Sequence, residues 1–177
     1  ASFLVIYLSE EVFPHLAEYQ AMASDIPEPG GKIARYREIA ARYLPFYWGG
    51  LMVGRLAGAR ILKYISAQRL LVLAAAACLL LMSLFLLSSG YAAMWLLIGT
   101  GLFLSIMWSN IFTLAIDGLG PHTSQGSGIL VAAIVGGALL PPLQGLLADG
   151  PLGLHGSFAV TMVSFVYILY YGWRGYG

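Results

Sequence analysis

The sequence predicts an all-α protein that crosses a membrane several times, and three observations carry that prediction. Apolar residues make up 59% of the 177 and charged residues only 10%, against roughly 45–50% and about 25% in a soluble domain. The apolar residues fall into runs near the roughly 20 residues that an α-helix needs to cross a bilayer. The stretch from Ser105 to Pro142, SIMWSNIFTLAIDGLGPHTSQGSGILVAAIVGGALLPP, joins two such runs by a short polar turn and sets sparse polar residues within them. Unpaired polar groups are expensive in hydrocarbon, so such residues face a protein interior or a water-filled path. A simple anchor has no use for them.

Taken in order, residues 1–13 read as the trailing half of a helix that Pro14 stops, so the chain reads as a fragment of a longer protein. Residues 14–42 are the one long polar segment, with a PEPGG turn signal at 27–31. From Lys32 onward, Ile33, Tyr36, Ile39, Ala40 and Tyr43 follow a helical face, and Glu38 precedes Arg42 by four residues, the favourable order for a helix pair. The segment therefore reads as a solvated connector with a short surface helix running into the next span, Pro45 standing near the junction. Spans are predicted at 43–62, 70–88, 92–116, 127–147 and 155–173. The apolar stretch of the last, 157–171, is short, and Leu152–Leu154 and Trp173 lengthen it.

Charge gives little orientation. Arg60, Lys63, Arg69 and Arg174 fall at one end of the bundle, and Lys32, Arg35, Arg37 and Arg42 at the other. The second group is mixed with acids, which count little in orienting a chain. The short loops favour the first group as cytoplasmic. The net charge of +1 gives no reason to propose nucleic acid as a partner. Cys78 is the single cysteine, so no internal disulfide forms. No metalloprotease, hydrolase or phosphate-loop motif occurs and no Cys/His cluster has metal spacing, so neither an enzyme nor a cofactor is expected. His15, His122 and His155 fall in or beside loops and read as solvated.

Several residues stand out within the spans. Gly50, Gly54 and Gly58 share one helical face, where the missing Cβ lets another helix come close, whether for packing alone or as a rocking surface. Arg55 lies too deep to snorkel fully and needs a carboxylate, backbone carbonyls, water or a substrate. Asp117 is its expected partner by sign and depth, in a structural or gating ion pair, and Trp48 lies two turns earlier on the same side. Ser105, Ser109, Asn110, Thr113 and Asp117 fall within an arc of roughly 140°. Hydroxyls bond back to their own helix, but the amide of Asn110 exceeds what a helix satisfies. It faces either a cavity and its ligand or an interhelical hydrogen bond. Gly136, Gly137, Pro141 and Pro142 should kink the next span, with a static or a gating bend, and Gln144 follows one turn on.

FYWGGLMVGRLAG (46–58), SIMWSNIFTLAIDGLGPHTSQGS (105–127) and IVGGALLPPLQGLLAD (134–149) closely resemble bacterial sugar transporters of the major facilitator superfamily. The branch is that of the fucose:proton symporter, and nearest within it are the glucose/galactose transporters. SFLVIYL at 2–8 and YYGWRGY at 170–176 resemble the same branch. The resemblance implies the C-terminal six-helix half of a twelve-helix transporter, its first helix truncated, in a bacterial inner membrane. It further implies alternating access of a monosaccharide with protons, the other half of the same polypeptide as partner, and both termini cytoplasmic. Asn110, Trp48 and Ser109 are then the expected substrate contacts. In the family pattern, asparagines stand where this chain has Ile6 and Leu104, which removes hydrogen bonds a sugar would use. The alternative reading is a sugar-sensing or degenerate membrane protein that kept the fold without transporting.

Overall fold

The structure, a computed structural model, describes residues 2–24, 26, 29–150 and 153–175. The first helix, α1 (Ser2–Tyr7), widens into a π-helical turn at Leu8–Val12 and tightens into a 3₁₀ turn at Phe13–His15. Leu16 is extended, so the helical run ends two residues after Pro14. Two helices, α2 (Ala17–Met22) and α3 (Pro29–Ala41), occupy the polar segment. The reading of this segment as a solvated connector needs correction, because Tyr19, Ala23, Tyr36, Ile39 and Ala40 are buried and α3 packs on Leu8–Val12. The Phe13 ring stacks on Tyr19 at 4.3 Å, and the hydroxyls of Tyr19 and Tyr43 lie 2.6 Å apart. On the opposite face of α3, Glu38 binds Arg35 at 2.7 Å and Arg42 at 3.4 Å, and Arg37 reaches Glu10 at 3.0 Å. Arg35 first, then Arg42, hold the Glu38 carboxyl below its ordinary range.

The expected span 43–62 is α4 (Leu44–Ile61), with Pro45 in its first turn, where a missing N–H costs nothing. Its 18 residues give about 27 Å of rise. Then come α5 (Ala67–Leu87) and α6 (Gly90–Ile116), both within a few residues of expectation. Ser66 caps α5 through its hydroxyl, which accepts from the Arg69 N–H. On α5, Leu71, Ala75, Cys78, Met82 and Phe85 repeat at alternating steps of four and three and are almost fully buried, so they form one seam. Helix α5 packs along α6, and α6 in turn packs on α4. The turn after α6 needs left-handed backbone at Gly118 and Gly120, with φ of +75° and +50°, which glycine adopts without strain.

The kinked span is two helices, α7 (Thr123–Gly137) and α8 (Leu140–Ala148). Helix α7 ends on the Gly136–Gly137 pair, and α8 restarts with Pro141 and Pro142 in its first turn. The last expected span is α9 (Gly153–Ser157) and α10 (Ala159–Tyr170), prolonged by a π-helical turn at Tyr171–Gly175. Helix α10 packs on α5. Among the described residues, four helical stretches are long and apolar enough to cross a membrane: Ala67–Leu87, Gly90–Ile116, Gly120–Ala148 and Gly153–Arg174. Helix α4, interrupted by Arg55 and Arg60, is less apolar than these. The bent stretch α7–α8 is almost bare, with Ile129, Val135, Leu139 and Leu146 exposed.

Candidate functional site

The site is built on the contact between α4 and α6. A Cβ added at Gly54 would run into the Leu102 carbonyl oxygen, with the Leu102 carbonyl carbon at 3.0 Å and its Cα at 3.2 Å. One turn on, a Cβ at Gly58 would lie 3.1 Å from Ile106 Cγ1, and one turn back, Gly50 would meet the Leu102 N at 3.6 Å. Gly101 takes the Tyr47 ring from the other side. The glycine face thus lets α4 seat its backbone on α6, and the two helices run in the same direction.

Beyond Gly58 the helices frame a crevice of about 570 Å³, lined among others by Arg55, Leu62, Trp108, Ser109, Asn110 and Thr113, with Leu70 from the start of α5. Of its lining residues only Arg55 is charged. Arg55 donates from Nε to the Ser105 Oγ at 3.2 Å. The expected Arg55–Asp117 pair is not what holds the guanidinium in this conformation. Asp117 follows the end of α6, twelve residues beyond Ser105, or about 18 Å of helix rise.

The hydroxyls of α6 behave as hydroxyls on helices do. Ser109 Oγ donates to the carbonyls of Ser105 and Ile106 at 3.1 and 3.3 Å, and Thr113 Oγ1 donates to Ser109 O at 2.9 Å. Asn110 differs from them. It is 1% exposed and lines the crevice, yet neither Oδ1 nor Nδ2 has a hydrogen-bond partner. A buried amide left in that state costs about 1–3 kcal/mol. No interhelical hydrogen bond satisfies it.

Trp108 lines the same crevice and is half exposed, whereas Trp48 is 58% exposed and does not line it. Trp48 stands seven residues before Arg55 on α4, about 10 Å away along the axis, edge-on to Tyr47. Leu104 faces two smaller cavities, of about 140 and 240 Å³, whose other walls include α10 residues such as Thr161 and Phe165.

His155 is not a solvated loop residue. Its Nδ1 accepts from the Tyr7 hydroxyl at 2.9 Å and its Nε2 donates to the Leu86 carbonyl at 3.2 Å, a tautomer required because a carbonyl only accepts. The ring stacks on Phe85 at 4.7 Å, so it ties α1 and the end of α5 to α9. No spacing in the sequence links His155 to Tyr7, 148 residues away.

The whole arrangement has the fold of part of one half of a major facilitator superfamily transporter. The E. coli fucose:proton symporter superposes with a TM-score of 0.82 at 23% identity, over 99% of this chain and 38% of that one. A second structure of a major facilitator superfamily transporter, in the outward conformation, also gives 0.82, at 22% identity, over 99% of this chain and 37% of that one. In sequence the chain is 40% identical over 174 residues to a glucose/galactose transporter of Brucella abortus, covering 98% of this chain and 37% of the relative. It is 35% identical over 121 residues to the L-fucose-proton symporter of Haemophilus influenzae, covering 66% of this chain and 28% of the relative. No protein-family model matches the chain. It therefore spans little more than a third of the length of the curated relatives it matches. With its apolar helices and transporter relatives, the chain is a multi-pass membrane protein.

Proposed function

We propose that the chain is the C-terminal part of a proton-coupled monosaccharide transporter of the bacterial inner membrane. In this reading two six-helix halves of one twelve-helix polypeptide rock about a central sugar site. The N-terminal half then covers the bare faces of α4, α7 and α8, and lipid covers the rest. The observation that carries the proposal is Asn110: a buried amide with both polar atoms unpartnered, set in the wall of a crevice, in a relative of sugar transporters.

A sugar hydroxyl both donates and accepts, so one hydroxyl can engage either end of that amide. Ser109 lies beside it, and Trp48, exposed on α4, supplies a ring face of the kind a sugar stacks on. Arg55, anchored on Ser105 at the level where the glycine face ends, is placed to act as a gating residue as the halves move. Gly136, Gly137, Pro141 and Pro142 interrupt the span between α7 and α8, a break at which one part of this half can move as access alternates. Ile6 and Leu104, apolar where the family pattern has asparagines, do not line this crevice, so the substrate is proposed only as a hexose or a deoxyhexose.

The test is uptake of labelled hexoses and deoxyhexoses by the intact polypeptide in proteoliposomes, with and without an inward proton gradient. Accumulation of one monosaccharide that collapses with a protonophore is the expected result. Specific sugar binding without uptake would favour a sensor, and neither binding nor uptake of any monosaccharide would overturn the proposal.

A further inference from the structure

The two ends of the bundle treat their cations differently. At the end that carries α2 and α3, Arg35, Arg37 and Arg42 are in ion pairs, and of that group only Lys32 is in none among the described residues. At the opposite end, Arg60, Lys63, Arg69 and Arg174 are exposed and form no ion pair among the described residues. One of them, Arg69, lines a groove of about 400 Å³ where α5 begins and the last helical turn ends, together with Gln68, Val72, Leu73, Gly172 and Trp173.

The groove is built to a pattern. Gln68 Nε2 donates to the Gly172 carbonyl at 3.0 Å and ties its two walls together. A Cβ at Gly172 would meet Val72 Cγ2 at 3.0 Å, so the floor is a close crossing. Arg69 stands in the first turn of α5, at the membrane-facing end of a span, and Arg174 follows Trp173. From Arg69 the wall runs one turn into the span through Val72 and the exposed Leu73, and the exposed Trp173 ring forms the other side. A cation stands at one end of the groove, and apolar side chains line the rest.

We infer that this groove is a binding site for an anionic phospholipid, its phosphate on the Arg69 guanidinium and one acyl chain along Val72, Leu73 and Trp173. Charge complementarity selects the occupant. Among the described residues these cations are in no ion pair, and basic pockets between helices at the cytoplasmic surface suit anionic headgroups. Tryptophan at the interface suits the boundary between headgroup and chain. The inference rests on the chain being a membrane protein with this end cytoplasmic, and not on which solute it carries.

The test is native mass spectrometry of the intact polypeptide, released from micelles doped with equal amounts of phosphatidylglycerol and phosphatidylcholine. The parent should retain phosphatidylglycerol preferentially. Arg69→Gln should lower that retention about fivefold, the effect of one surface cation on anionic lipid. Lys63→Gln, which removes an equal charge outside the groove, should lower it much less. Trp173→Ala, at an exposed position beyond the last regular helix, should weaken long-chain phosphatidylglycerol more than its dihexanoyl form, and this keeps the test open if the Arg69 variant misfolds. Equal retention of the two lipids by the parent, an equal effect of Lys63→Gln, or displacement by millimolar inorganic phosphate alone would each overturn the assignment.

Discussion

Replacing Gly54 by leucine is expected to abolish correct folding of the intact protein. The Cβ alone would collide with the Leu102 carbonyl oxygen, which is backbone and cannot turn aside, so α4 and α6 would have to separate. Overpacking a well-filled contact costs about 1–3 kcal/mol and occasionally more. Here the glycines above and below would lose their seats as well. The neighbouring glycines form a graded control. At Gly58 the obstacle is the side chain of Ile106 at 3.1 Å, and at Gly50 the contact is an ordinary 3.6 Å. At Gly49 nothing lies within 4 Å, and there alanine should be neutral or stabilising by up to about 1 kcal/mol through helix propensity. Thermal midpoints and monodispersity in detergent should therefore rank Gly54→Leu far below Gly58→Ala, with Gly50→Ala and Gly49→Ala near the parent. A Gly54→Leu protein as monodisperse and as stable as the parent would remove the α4–α6 contact from this account.

Asn110 should show the opposite split between stability and function. Leucine repeats the branched shape of asparagine without its polar atoms, and its extra bulk has the crevice to extend into, so Asn110→Leu removes two unpartnered buried groups and should stabilise the fold by about 1–3 kcal/mol. Transport should fall with it, because the crevice loses the amide proposed to meet a sugar hydroxyl. Asn110→Ala should weaken apparent sugar binding by about 1–3 kcal/mol, the cost of an unpaired polar partner, and leave the fold intact. A purely structural asparagine would lose stability on substitution and keep its transport. Parallel measurement of melting temperature and uptake distinguishes the two roles.

The spans were legible because length and apolar content decide them, and α5 and α6 begin and end within a few residues of expectation. The bend before Pro141 was legible for an equally local reason: proline cannot continue the hydrogen bonds of a preceding helix. The spacing of Gly50, Gly54 and Gly58 showed that they share a face, but the helix they meet depends on the register of α4 on α6, which no local pattern encodes. The same register decides what Arg55 meets. Reasoning from sign and depth selects a carboxylate, whereas the observed stagger sets Ser105 beside Arg55 and carries Asp117 further along. Tyr19 and His155 were missed because their partners come from distant segments: Tyr43 across the polar segment, and Tyr7 at the other end of the chain. Polar composition around Tyr19 reads as solvated until Phe13 and Tyr43 close over it.

The central claim is that the crevice beyond Gly58 is where sugar binds, and Thr113→Cys tests it most directly. Thr113 is exposed on the crevice wall one turn beyond Ser109, and the single native cysteine, Cys78, is fully buried and so slow to react. In the intact protein, the transported monosaccharide should slow maleimide labelling of Thr113→Cys in proportion to its occupancy, and a stereoisomer that is not transported should leave the rate unchanged. Adding Asn110→Ala should shift the protection curve to higher sugar concentration. An active transporter whose labelling rate at this position is the same with and without saturating sugar would place the binding site elsewhere and contradict the account.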